Sequence, residues 1–160
     1  MNGFKISILL MCLVFTAIIE VQAEDRWQLD SISGLNIALY RKADSSGLAI
    51  YFIRSGAVWL CVRLPKGVEK IDLSRPFEIR VDQSKAFSSP KSALQPDPTA
   101  VAWQIAAPES AIVKGSLLDR FKKGSLAHVR CHVNDGREVE MKVPLKGSKS
   151  VVERLLSMRP

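Results

Sequence analysis

Apolar side chains recur at every second position in three separate stretches of this chain, and no other feature limits its fold as much. Leu35, Ile37 and Leu39 alternate with Asn36, Ala38 and Tyr40. Phe77, Ile79 and Val81 alternate with Glu78, Arg80 and Asp82, and Val139, Met141 and Val143 alternate with Glu138, Glu140 and Lys142. Successive side chains of an extended strand point to opposite faces, so this period predicts half-buried strands. Residues 48–53 and 57–64 are more continuously apolar and predict central strands covered on both faces. R-S-G at 54–56 is short enough to join these two as a hairpin. N-D-G at 134–136 is a stronger hairpin signal, because Asn, Asp and Gly tolerate the positive φ of tight turns. It predicts a strand at about 125–133 joined to one at about 137–144.

Two segments carry helical spacing instead. Residues 115–123 place Leu117, Leu118 and Phe121 on one face, with Asp119 early, Lys122 and Lys123 late and Gly124 as the stop. Residues 148–157 repeat Val151, Val152, Leu155 and Leu156 at helical spacing, and Ser150 with Glu153 matches a capping box. S-S-P-K-S-A-L-Q-P-D-P at 88–98 holds three prolines, which cannot donate to a sheet ladder. It reads first as a surface loop or edge cover and second as a partner-binding loop. The fold class expected is mainly β: a single β-sandwich-like or partly open barrel domain with two short helices near the C-terminus.

The N-terminus has a different character. Lys5 precedes a run of about 14 apolar residues at 6–19, short of the ~20 that a membrane span needs. V-Q-A then places Val21 and Ala23 where signal peptidase requires small side chains. The expectation is a secretory signal peptide over 1–23, cleavage between Ala23 and Glu24, and one domain over 24–160 that is periplasmic or secreted. Cys12 follows Met11 in mid-run, which argues against lipid attachment there. Lys5 and Glu20 cancel, so the mature part keeps the net charge of +7. That balance suits an anionic surface such as phospholipid headgroups or envelope glycans, or an acidic protein. The basic residues are scattered among acids without interleaved aromatics, so no nucleic acid is expected as a partner.

Loss of the leader leaves Cys61 and Cys131. An oxidising compartment permits a bridge between them, closing a loop that would contribute about 3–4 kcal/mol in the chain-entropy model, provided the fold brings them within reach. A-H-V-R-C-H-V at 127–133 holds both histidines and one cysteine. As a strand it sends Ala127, Val129, Cys131 and Val133 to one face and His128, Arg130 and His132 to the other. Histidines four apart on a strand stand about 13 Å from each other, which does not converge on one ion held by bonds of about 2 Å. Adjacent strand residues diverge, so Cys131 and His132 make no nucleophile–base dyad. No G-x-S-x-G elbow, Walker loop, Rossmann fingerprint or calcium loop occurs. No catalytic residue, metal or cofactor is therefore assigned, and a non-enzyme is expected.

The order of several short motifs carries a resemblance. V-W-L-C-V-R-L-P-K-G-V is followed by P-F-E-I-R-V-D-Q-S-K-A, then L-L-D-R-F-K-K-G-S, then N-D-G-R-E-V-E-M-K-V-P-L-K-G. This series resembles the invasion-associated locus B proteins of Gram-negative bacteria. The match rests on Leu64, Pro65, Gly67, Val68, Asp82, Leu118, Gly124, Gly136, Leu145 and Gly147. These are turn and core residues, and no catalytic motif accompanies them. Trp27 is followed by Q-L-D and the segment around Trp103 lacks a cysteine, both departures from that family's pattern. The periplasmic accessory proteins of type VI secretion are a second resemblance, through Trp103 placed before a helix and a final strand pair. The first resemblance implies a secreted or periplasmic, mostly β envelope protein, virulence-associated, that binds an envelope or host protein or an anionic envelope surface. Arg80, Arg130, Lys142 and Lys146 are its candidate contacts. The alternative is an accessory or assembly factor of an envelope secretion system, contacting its partner through Trp103 or the 88–98 loop. The oligomeric state is left open.

Overall fold

The structure is a computed structural model that describes residues 25–32, 34–90, 93–107 and 114–158. Its elements run β1 Trp27–Ile32, β2 Leu35–Arg41, β3 Gly47–Phe52, β4 Val58–Arg63, β5 Glu78–Val81, β6 Phe87–Ser88, β7 Leu94–Asp97, β8 Ala100–Ala106, α1 Leu117–Lys123, β9 Leu126–His132, β10 Glu138–Pro144 and α2 Ser148–Ser157. Two antiparallel sheets result, one ordered β1-β2-β3-β4-β8-β7 and the other β10-β9-β5-β6. They form a sandwich and not a closed barrel. The predicted leader, residues 1–23, lies outside the described residues.

The period-two pattern translates into layers for β5 and β10, whereas β2 is buried on both faces and inverts it, with Ala38 and Tyr40 in the shared core and Ile37 and Leu39 on the outer face. Ala38, Tyr40, Leu48, Ile50, Leu60, Val62, Val101 and Trp103 of the larger sheet meet Ile79, Val81, Val129, Cys131, Met141 and Val143 of the smaller one in a shared core. β3 and β4 are buried at every position, as their continuous apolar sequence requires. Their hairpin turns through residues 54–56, where Gly56 N–H donates to Ile53 O at 2.8 Å. The N-D-G turn joins β9 to β10; Gly136 sits at φ 85°, a conformation open to glycine, and its N–H donates to Val133 O at 2.8 Å.

The two helices pack against each other, and α2 packs against β1 and β2. Leu117, Leu118 and Phe121 of α1 and Val151, Val152 and Leu155 of α2 belong to the shared core. Trp27 is the joint: its ring lies 5.9 Å from Tyr40 and 6.3 Å from Phe121, and its indole N–H donates to Pro144 O at 2.9 Å. Ser116 caps α1 by accepting from Asp119 N–H. Gly124 ends α1 with a negative φ of −80°, so its value is space: an added Cβ would lie 2.3 Å from Val81 Cγ1.

Two local expectations change. α2 starts at Ser148 behind Gly147, so Ser150 lies within the first turn, its hydroxyl donates to Gly147 O, and the Ser150–Glu153 capping box does not form. Ser148 takes the structural role, its buried hydroxyl set against Phe121 O at 2.6 Å and Leu145 O at 2.7 Å. The 88–98 segment is partly strand: β7 forms one edge of the larger sheet, and its register shifts between Leu94 and Asp97, where Pro96 interrupts the ladder.

Candidate functional site

The outer face of the smaller sheet carries the polar residues singled out in A-H-V-R-C-H-V. Cys131, Val129 and Ala127 turn into the core, while His128, Arg130 and His132 turn outward. Antiparallel register brings further charges alongside them. Lys142 stands opposite His128, and His128 opposite Arg80, giving a row Lys142–His128–Arg80 across β10, β9 and β5. The next row is Glu140–Arg130–Glu78, and beyond it Glu138 stands opposite His132. Cross-strand neighbours of this kind lie about 4.5–5.5 Å apart at their Cα atoms.

These rows are not equivalent electrostatically. Arg130 Nε lies 3.5 Å from Glu138 Oε1 and is flanked by Glu140 and Glu78, so its charge is offset. His128 Nδ1 lies 2.7 Å from Glu140 Oε1. That hydrogen bond, more than the charges of His128, Lys142 and Arg130, holds the Glu140 carboxyl below its usual range. Arg80 is half-buried, Lys142 is exposed, and no acid stands in register between them. Positive character is thus concentrated at the Lys142–Arg80 end of the face. Lys146 is exposed in the turn after β10, beyond the sheet. Arg80, Arg130 and Lys142 therefore share one surface, and Lys146 lies beside it.

The histidines are tied to separate carboxylates. His132 Nε2 lies 3.8 Å from Glu138 Oε2, and its Nδ1 is buried with no hydrogen-bond partner among the described residues. Among the described residues no group of three or more His, Cys, Asp or Glu could hold a metal ion.

Two expectations about particular side chains fail. Cys61 and Cys131 are both buried and are not bridged to each other. The reason is strand parity: Cys61 points away from the shared core on the outer face of the larger sheet, while Cys131 points into that core from the smaller one. Packed sheets stand about 10 Å apart, beyond the Cα separation of about 7 Å at which a bridge fails. Trp103, a candidate hydrophobic contact, is buried between the sheets with its ring 5.7 Å from Phe77. It cannot meet a partner without opening the sandwich.

Asp82, one of the resemblance residues, proves architectural. It adopts φ 48° just after β5, and its carboxylate accepts from Ser125 N–H and from Leu126 N–H at 3.0 Å. It thereby fixes the entry of β9, the strand that carries both histidines. Arg63 and Asp97 form an ion pair that ties β4 to the β7 edge, and Asp97 also accepts from Thr99 N–H at 2.8 Å.

Comparison with known proteins agrees at the level of the fold. The chain superposes on the crystal structure of invasion associated protein b from Bartonella henselae with a TM-score of 0.56 and 15% sequence identity, covering 82% of this chain and 92% of that one. No protein-family model and no curated protein matches the sequence. At that identity the likeness establishes the shared architecture, a distant relationship in fold to the protein group that the sequence motifs resemble.

Proposed function

We propose that this protein is a non-catalytic component of the bacterial envelope, exported after removal of residues 1–23, that binds an anionic surface through the outer face of its smaller sheet. The observation that carries the reading is the Lys142–His128–Arg80 row, in which two cationic side chains stand in register on either side of His128 on adjacent strands. A rigid sheet holds them at fixed spacing, so they meet a multivalent anion such as a phosphate- or carboxylate-bearing surface with little loss of conformational freedom. The overall charge of +7 adds a long-range attraction toward the same partner. The resemblance of the motif series and the superposition on an invasion associated protein support a role at the cell surface in association with a host.

The experiment is a crosslinking pull-down of the mature protein from intact cells at low and high salt, with mass spectrometry of what is recovered. Salt-labile recovery of lipid or glycan with no dominant protein is the expected result, because exposed charge pairs are screened within about 8–10 Å at physiological salt. One dominant, salt-resistant protein partner would replace this reading with the accessory role in a secretion system.

A further inference from the structure

The last strand of a sheet carries a row of N–H and C=O groups that template a further strand unless the edge is covered or blunted. The two sheets end on β1, β7, β6 and β10. Three of these ends are short, irregular or self-capped. β6 has two residues, and β7 shifts register between Leu94 and Asp97. On β1 the Asp30 carboxylate takes the Ser31 N–H at 2.8 Å. β10 differs, running from Glu138 to Pro144 in unbroken register with β9. Val133 N–H donates to Arg137 O at 3.0 Å just before it, and Leu145 N–H to Ser125 O at 2.8 Å just after it. Antiparallel ladders alternate bonded and non-bonded pairs, so Val139, Met141 and Val143 bond to β9, while the N–H and C=O of Glu138, Glu140 and Lys142 point to the open edge. Pro144 follows the same parity: it lacks the outward N–H, and its carbonyl accepts from the Trp27 indole. Among the described residues no other group bonds to the outward N–H and C=O of Glu138, Glu140 and Lys142.

We infer that β10 is the seam of a homodimer, in which it pairs antiparallel with β10 of a second copy about a two-fold axis at Glu140. A two-fold interface must be self-complementary, and this edge is. With the two Glu140 residues opposite each other, Glu138 of each copy stands opposite Lys142 of the other. Within its own sheet Lys142 faces His128 and no acid, so the second copy's Glu138 supplies its counter-charge. The two central carboxylates repel, but each is held by its own His128 at 2.7 Å, and two attractive cross-strand pairs outweigh one repulsive pair of the same kind. On the inner face Val139, half-buried beside the shared core, stands next to Met141 of the second copy and carries the core across the seam. Pairing stops at Lys142, because Trp27 already engages the Pro144 carbonyl. The two smaller sheets become one, with both polar faces on the same side. The dimer goes beyond the anion-binding reading and does not depend on it.

The test is disulfide trapping of the exported protein, whose own Cys61 and Cys131 are buried. A hydrogen-bonded antiparallel pair sets its Cα atoms about 5.5 Å apart, inside the bridging range of about 4.4–6.8 Å. Under mild oxidation Glu140→Cys should therefore give a dimer linked through position 140. Glu138→Cys and Lys142→Cys should link to each other when mixed and not when alone. In sedimentation velocity Glu138→Lys should raise the dimer Kd by about tenfold or more, since two attractive pairs become repulsive, and Glu138→Lys/Lys142→Glu should restore it. Amide exchange of the unsubstituted protein reads the same edge: the Glu138, Glu140 and Lys142 N–H groups should be protected at high concentration and lose that protection on dilution. A protein that is monomeric at every concentration would overturn the proposal. So would equal trapping at the three positions, or a charge reversal that the double exchange does not rescue.

Discussion

Gly124→Ala offers a test in which backbone and packing predict opposite signs. At φ −80° an alanine fits the backbone without strain, and such a change ordinarily stabilises by about 0.4–1 kcal/mol by restricting the unfolded chain. Here the new Cβ would lie 2.3 Å from Val81 Cγ1, 2.9 Å from Arg120 O and 3.0 Å from Asp82 Oδ2. Val81 is buried in the shared core, and Arg120 O accepts the Gly124 N–H that closes α1, so neither yields freely. Overpacking of this kind costs about 1–3 kcal/mol, which outweighs the entropic gain. In a domain of this size the net loss lowers Tm by several degrees, at about 3–5 °C per kcal/mol. The assay is thermal and urea unfolding of the wild type, Gly124→Ala, Val81→Ala and the double variant. Val81→Ala removes the closest contact, so the added cost of Gly124→Ala should fall by at least half in that background. A single variant as stable as wild type or more so would refute the close approach of α1 to β5, and with it the packing of the helices against the smaller sheet.

Trp27→Phe should lose the bond to Pro144 O and part of the ring's volume, about 1–2 kcal/mol, whereas Trp27→Ala should lose about 3–5 kcal/mol; urea unfolding separates them. Burial first, and then the Glu138 carboxylate, push the Cys131 thiol up to about 12. In native protein at pH 8 it should therefore react with a thiol reagent only as fast as the chain opens, and rapid native labelling mapped to Cys131 would contradict its placement. Oxidative refolding should yield no Cys61–Cys131 bridge in folded monomer, as peptide mapping would reveal. Glu140 is held below its ordinary value of 4.5, chiefly by its hydrogen bond with His128. Its contribution to stability is therefore complete above about pH 4.5 and is lost as pH falls through the folded value; Glu140→Gln should flatten that part of the acid limb in urea melts.

The parts of the fold legible in the sequence are those governed by local rules. Period-two alternation assigned β5 and β10 their faces but not β2, where Ala38 and Tyr40 enter the shared core and Ile37 and Leu39 pack on the outer face, and N-D-G set the register that places Lys142 opposite His128. Because side-chain direction follows from parity, the outward face of His128, Arg130 and His132 was readable before any coordinates. Partnership between distant strands was not. Nothing in the chain says that β9 pairs with β5, which is what brings Arg80 into the basic row. Nor does it say that Cys61 and Cys131 face different layers, since a pair of cysteines carries no signal of sheet assignment. Trp103 misled because an aromatic reads the same whether it faces a partner or a second sheet. The capping box failed for a local reason, as α2 begins at Ser148, two residues ahead of Ser150, with Gly147 at the cap position. Pro96 cannot donate to a central ladder, yet an edge strand accepts it.

The most direct test of the proposed function removes the basic row and leaves the sandwich intact. Arg80→Ala/Lys142→Ala replaces two side chains on the polar face, where circular dichroism should report an unchanged fold. Binding of the mature protein to vesicles containing anionic lipid, measured by co-sedimentation at several salt concentrations, should weaken by roughly 30-fold at low salt, at about 1 kcal/mol per basic residue near an anionic surface. A matched Arg54→Ala/Lys66→Ala variant, exposed in segments that flank β4 of the larger sheet and carrying the same change in net charge, should weaken it far less. Equal losses from the two pairs would mean that charge alone governs binding and that the Lys142–His128–Arg80 row has no special part in it.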